Sequence, residues 1–259
     1  MFDAPLLTEL RDKVMWITIN REDRRNAMNA EVTTRIARAL SLAVEGGEAR
    51  AIVLTGSGDR AFCAGADLTP DSGSFRFDHS KLGSPFASLL KAAKDLPLPL
   101  VARVNGHCMA GGMGLLGMCD LAVAAETARF GMPEVKVGVF PMQIMSVLRD
   151  IIPPRKLYEM ALTGEAVTAA EALEIGLINY AVPPAELDAK LAWLLGRILD
   201  KSPTAIRRGK NAMRQVDAMN FDQAIAYLEA QISILALTED AAEGRRAFNE
   251  KRAPQWTGR

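Results

Sequence analysis

No stretch of the 259 residues reaches the roughly 20 apolar positions that cross a bilayer, so no transmembrane anchor is expected. No signal peptide is expected, because residues 1–12 carry charges and no apolar run. Net charge is missing too: 31 Lys and Arg balance 31 Asp and Glu. That balance argues against nucleic acid or an anionic membrane as the main partner. Cysteine is limited to Cys63, Cys108 and Cys119, an odd number without metal-ligand spacing. A reduced, cytoplasmic setting and no metal site are therefore expected. Histidine, the commonest proton carrier, is limited to His79 and His107. His107 reads as a packed or loop residue, and Cys63 as a small core residue rather than a nucleophile.

What the chain does have is a long central stretch, from Asn105 to Pro141. An apolar run at residues 98–104 reads as a buried strand. Gly106 supplies a turn, and Ala110, Gly111 and Gly112 open an apolar helix. A helix start presents free N–H groups with a positive dipole behind them, and glycines let a ligand oxygen approach them. Phosphate or a polarised carbonyl oxygen suits such a place. Gly112, Gly114 and Gly117 also fit G-x-G-x-x-G. The nearest expected strand ends several residues earlier and a hundred residues precede it, which is the wrong context for a dinucleotide fingerprint.

In chain order, strands are expected at residues 14–20, 51–55, 121–125 and 128–130, with helices at 30–45 and 84–94. A second small-residue stretch, A-F-C-A-G-A-D-L at residues 61–68, is either a tight connection or a second backbone donor facing the first. Residues 69–83 read as a mobile loop. After Pro141 the pattern turns helical: Pro153 and Pro154 start one helix, and residues 168–175 form another with Gly176 behind it. Residues 184–200, 203–219, 221–237 and 239–251 complete the set. Alternating α and β followed only by helices suggests a core over residues 1–195 and a helical appendage over 196–259. The apolar faces of the last helices (Ile225, Leu228, Ile232, Leu235) need cover from the core or from a neighbouring subunit.

These motifs together resemble the crotonase superfamily, the enoyl-CoA hydratase and isomerase fold, across essentially the whole chain. The opening V-M-W-I-T-I-N-R with Asn26 and Ala27 resembles the family's first strand and loop. Residues 61–68 are similar to its first oxyanion motif, and Asn105-Gly106 with Ala110, Gly111, Gly112, Cys119 and Asp120 to its second. F-G-M-P-E, ending at Glu134, resembles the segment that carries a catalytic acid. The landmarks L-T-G at 162–164, A-A-E-A at 169–172 and A-F-N-E-K-R at 247–252 also match.

The resemblance implies an α/β fold, a spiral of ββα units with a helical C-terminal oligomerisation region, assembled as a trimer or dimer of trimers. It implies an acyl-CoA substrate, coenzyme A being part of that substrate and no separate cofactor. The N–H groups of Ala66 and Gly111 would form the oxyanion hole, each donor worth on the order of 3 kcal/mol to a thioester enolate. Glu134, among Met132, Pro133 and Val135, would carry the proton, its pKa raised by apolar neighbours. The family's P-G-x-G-G-T stands here as P-M-Q-I-M-S at residues 141–146, and the Met142 N–H would hold a water or substrate oxygen. Hydratases of the family usually carry a second glutamate where this chain has Gly114, and the expectation is that its absence leaves room for a bulky acyl group. Hydration and isomerisation both stay open, as does an acyl-CoA-binding protein that has lost catalysis. For coenzyme A the resemblance points to Ala27 and to Ala64, Asp67 and Leu68, with Asp67 also read as a backbone brace. Arg24 and Arg25 would meet the phosphates or sit solvated in their loop. Phe248 and Lys251 are similar to residues that a neighbouring subunit lends to the adenine end.

Overall fold

The computed structural model describes residues 4–69, 72, 80 and 82–259. Most of the expected loop at 69–83, with His79, therefore lies outside the described residues. The strands are β1 (Leu6–Arg11), β2 (Val14–Ile19), β3 (Ala51–Gly56), β4 (Ala61–Cys63), β5 (Leu100–Val104), β6 (His107–Met109), β7 (Leu121–Ala125), β8 (Arg129–Gly131), β9 (Val167–Thr168) and β10 (Tyr180–Val182). The helices are α1 (Ala30–Glu45), α2 (Pro85–Lys94), α3 (Gly111–Gly117), α4 (Met145–Leu148), α5 (Pro154–Thr163), α6 (Ala169–Glu174), α7 (Leu187–Leu199), α8 (Pro203–Val216), α9 (Phe221–Leu235) and α10 (Glu239–Asn249).

Two sheets organise the chain. The larger runs β1-β2-β3-β5-β7-β10 and the smaller β4-β6-β8-β9. Successive turns of a spiral place one long strand in the first sheet, one short strand in the second, and then a helix: β3-β4-α2, then β5-β6-α3. The central strands are parallel, and parallel strands are covered on both faces. In β3 the two faces separate by period two. Ile52 and Leu54 enter the main core with Val32, Ile36 and Leu40 of α1. Ala51 and Val53 enter a second core beneath Leu187, Leu191, Leu194 and Leu195 of α7. Residue 195, the expected boundary, thus falls within a helix packed on the sheet. The helices beyond it dock through charge: Lys210 Nζ donates to Leu98 O at 2.6 Å and Arg214 Nη1 to Leu96 O at 2.8 Å.

Several short strands were not legible. β1 pairs antiparallel with β2 across Asp12 and Lys13, both at positive φ. Such a turn is ordinarily signalled by Asn-Gly or Asp-Gly, which this chain lacks there. β6 was also missed, being three residues long. It ends at Met109, so a strand does stand close before Gly112, nearer than expected.

Candidate active site

The site grows from two strand ends. β4 and β6 pair in parallel, Ala61 opposite His107 and Cys63 opposite Cys108. The loop after β4 and the start of α3 after β6 therefore leave the sheet side by side. Two buried asparagines fix the turn before β4. Asn26 Nδ2 donates to Ser57 O and Ala61 O at 2.9 and 2.7 Å, while its Oδ1 accepts from Arg21 N and Ser57 Oγ. Asn105 Nδ2 donates to Gly58 O and Ala61 O, and its Oδ1 accepts from Gly56 N. Sequence reading quoted both residues but gave neither a role. A lone Asn signals a turn, whereas these two act across 31 to 49 positions of chain.

Gly65, at φ +102°, lies against the start of α3: a Cβ there would come 2.7 Å from Ala110 Cβ and 3.2 Å from Gly111 N. Ala110 itself has φ +50° and ψ −123°, a costly conformation for a residue with a side chain. Its N–H donates to Gly131 O at 2.8 Å, which holds the bend that aims the next amide. On the facing loop, Met28 N donates to Gly65 O at 2.8 Å and Asp67 N to Met28 O at 2.7 Å. This parallel bridge uses the residues flanking Ala66 and turns the Ala66 N–H outward. Neither the Ala66 nor the Gly111 N–H donates to an acceptor among the described residues. A Cβ on Gly111 would sit 3.7 Å from Ala66 N, so the two donors are near neighbours.

Both open onto a cavity of about 720 Å³, lined also by Ala64 and Leu68, by Met28, Phe86 and Ile144, and by Glu134. Glu134 sits in the 3₁₀ turn Pro133–Val137 directly after β8. Its Oε2 is buried with no hydrogen-bond partner among the described residues. Burial raises its pKa above the ordinary glutamate value, opposed only by a hydrogen bond from its own backbone. Lys136, the other titratable group on the cavity wall among the described residues, is ion-paired with Glu165 at 2.7 Å.

Of the other expected site residues, Met142 and Ala64 also line the cavity. The Met142 N–H is not free, since it donates to Phe140 O at 2.7 Å. Gly114 is buried and leaves no room: a Cβ there would meet Ile144 Cγ2 at 2.6 Å and Phe86 Cζ at 2.8 Å. The expected space has been filled by these two side chains, which come from distant parts of the chain. Ala27 is buried with its N–H on Arg24 O and its carbonyl accepting from Arg21. Ala64 lines the cavity, but its N–H donates to Arg25 O. Arg24 and Arg25 are exposed outside the cavity lining, Arg24 beside Asp23 at 3.5 Å. Phe248, 83% exposed, and Lys251 lie at the end of α10, away from the cavity of the same chain. His107 Nδ1 accepts from Arg129 N. Cys63 is fully buried, and burial pushes its thiol up to about 12, which leaves it unreactive.

Asp67 is a brace. It accepts from Arg21 Nη2 at 2.7 Å and from Thr69 N and Oγ1 at 3.0 and 2.8 Å. Burial pushes its pKa upward, but Arg21 and Thr69 outweigh burial and hold it at about 2. A depressed carboxylate contributes stability above its unfolded pKa and loses it as pH falls through the folded one. Asp67→Asn is therefore expected to cost about 2 kcal/mol at neutral pH. Denaturant unfolding should show that difference shrinking between about pH 4 and pH 2.

The family described as Enoyl-CoA hydratase/isomerase matches residues 9–259 of this chain. The chain is 36% identical over 260 residues to the enoyl-CoA hydratase EchA19 of Mycobacterium tuberculosis, covering 98% of this chain and 96% of that protein. It is 30% identical over 248 residues to the crotonyl-CoA hydratase of Syntrophomonas wolfei, covering 95% of each. Its fold matches the crystal structure of an enoyl-CoA hydratase from Mycobacterium smegmatis with a TM-score of 0.89 at 30% identity, over 98% of this chain and 99% of that one.

Proposed function

The chain belongs to the enoyl-CoA hydratase/isomerase family, and from that premise we propose that its cavity binds an acyl-CoA thioester and stabilises the enolate formed from it. The thioester oxygen accepts from the N–H groups of Ala66 and Gly111, and Glu134 takes and returns the proton at carbon. The observation that carries this reading is the meeting, in the lining of one cavity, of two adjacent N–H donors with a buried carboxylate oxygen, none of the three having a partner among the described residues. Negative charge developing on a thioester oxygen needs such preorganised donors. A raised carboxyl pKa brings the proton carrier closer to its working pH.

The direct test compares a saturated acyl-CoA with its thioether analogue, which lacks the carbonyl oxygen. Calorimetry should show the analogue binding roughly tenfold more weakly or worse, from two lost hydrogen bonds. Equal affinity for the two ligands would remove the oxyanion role of Ala66 and Gly111.

The assembly proposed with this function is a trimer or dimer of trimers. α9 buries none of its residues, and Phe221 (79%), Ile225 (51%) and Ile232 (60%) stand exposed along it. An apolar face of that size is normally covered by a partner. The exposed Phe248 and Lys251 would then reach the coenzyme A of a neighbouring subunit. Sedimentation is expected to show three or six copies, and a stable monomer that binds acyl-CoA normally would rule this assembly out.

A further inference from the structure

Gly114 lies one helical turn beyond Gly111, on the same face of α3. A glycine inside a helix costs about 0.5–1 kcal/mol relative to alanine. Two side chains from distant parts of the chain converge on the space it leaves. Phe86, in the first turn of α2, brings Cζ within 2.8 Å of where a Cβ would stand, and Ile144, just before α4, brings Cγ2 within 2.6 Å. Ile144 is 3% exposed and belongs to the main core, with Phe86 packed against it. Both also line the cavity that holds Gly111 and Glu134. The gap over the helix is thus closed by an aromatic edge and a methyl group, within a turn of an oxyanion donor.

An acyl chain whose thioester oxygen sits on Ala66 and Gly111 must lay its first carbons along this wall. A water molecule attacking those carbons needs polar partners, ordinarily two to four. Phe86 and Ile144 supply none, the Met142 N–H is spent on Phe140 O, and beside them Gln143 Nε2 is spent on Ser84 Oγ. Among the described residues, Glu134 is the only acid on the cavity wall. Resting on the enolate reading above, we propose that Phe86 and Ile144 are specificity-determining residues: an apolar wall seated on Gly114 that denies water its place and favours moving a proton between two carbons of the same acyl chain.

The step balances without a co-reactant. The Glu134 carboxylate removes a proton from C2 of a 3-enoyl thioester. The freed electron pair forms an enolate conjugated with the C3=C4 bond. The Glu134 carboxyl then returns the proton to C4, the double bond settles between C2 and C3, and Glu134 ends ionised as it began. Nothing is oxidised or reduced.

The experiment gives the purified protein matched 2-enoyl-CoA and 3-enoyl-CoA substrates and follows products by mass, since hydration adds water and migration does not. The wild type is expected to migrate the double bond at least roughly tenfold faster than it hydrates. Phe86→Ala should raise the hydration-to-migration ratio by about tenfold, the opened space admitting water. Ile144→Leu, which conserves volume but removes the Cγ2 methyl that faces Gly114, should raise it by a smaller factor. Loss of packing alone would lower both rates together and leave the ratio fixed. An unchanged ratio in Ile144→Leu or Phe86→Ala, with saturated acyl-CoA still bound as by the wild type, overturns the wall. A wild type that hydrates faster than it migrates does the same. A wild type that binds no acyl-CoA overturns the enolate reading itself, a separate outcome.

Discussion

Glu134→Gln is expected to lower turnover by roughly 10²–10⁴ with little change in the binding of a saturated acyl-CoA. Gln is nearly isosteric, so the cavity keeps its shape, but it cannot take a proton from carbon. The wild-type pH profile should carry the same signature. Burial raises the Glu134 pKa, and the ionised form is the base. kcat/KM should therefore fall on the acid side at a higher pH than an exposed glutamate would give. Stability should move the other way from activity. A carboxyl whose folded pKa is raised contributes stability below its unfolded pKa and loses it as pH rises through the folded one. At neutral pH the buried charge, with no partner at Oε2, is a cost that the neutral amide removes. The variant should thus unfold at or above the wild-type temperature at pH 7, with the gap closing in acid. Unchanged turnover on whichever substrate the wild type uses would take Glu134 out of the mechanism.

Gly112→Ala should show the second largest effect, through geometry alone. A Cβ at Gly112 would lie 2.4 Å from Cys63 O and 3.0 Å from Cys63 Cβ. The first obstacle is backbone, so no rotamer change relieves it, and β4 and α3 must separate by roughly 1 Å. The loop from Cys63 leads directly to Ala66, while Gly112 follows Gly111, so the same shift spreads the two N–H donors. A displacement of that size is expected to cost about 10²-fold in kcat. The accompanying strain should cost about 1–3 kcal/mol of stability. Gly114→Ala meets side-chain atoms of Ile144 and Phe86 instead and should be milder in activity. Full activity in a folded Gly112→Ala protein would show that donor spacing is not critical.

The sequence by itself determined the main frame. The apolar runs around Val53, Val101 and Val123 specify strands, and α1 is legible from Val32, Ile36 and Leu40 at helical spacing. The small-residue stretches holding Ala66 and Gly111 were legible as such, and Glu134 as a carboxylate with apolar neighbours, because these features lie in local composition; whether the two stretches face each other stayed open. Two- and three-residue strands such as β6 and β9 carry no period and went unread.

Only the tertiary structure decided what fills space and which donors are spent. The absence of a side chain at Gly114 looked like room in the sequence, yet Ile144 and Phe86 occupy it from 30 and 28 positions away. The Met142 amide looked free, and a local turn claims it. Asn26 and Asn105 carried no role in the sequence, yet they pin the turn that leads to the loop holding Ala66. The physical reason is the same in each case. A hydrogen bond or a van der Waals contact forms between groups that folding brings together, and the identity of one partner does not reveal the other.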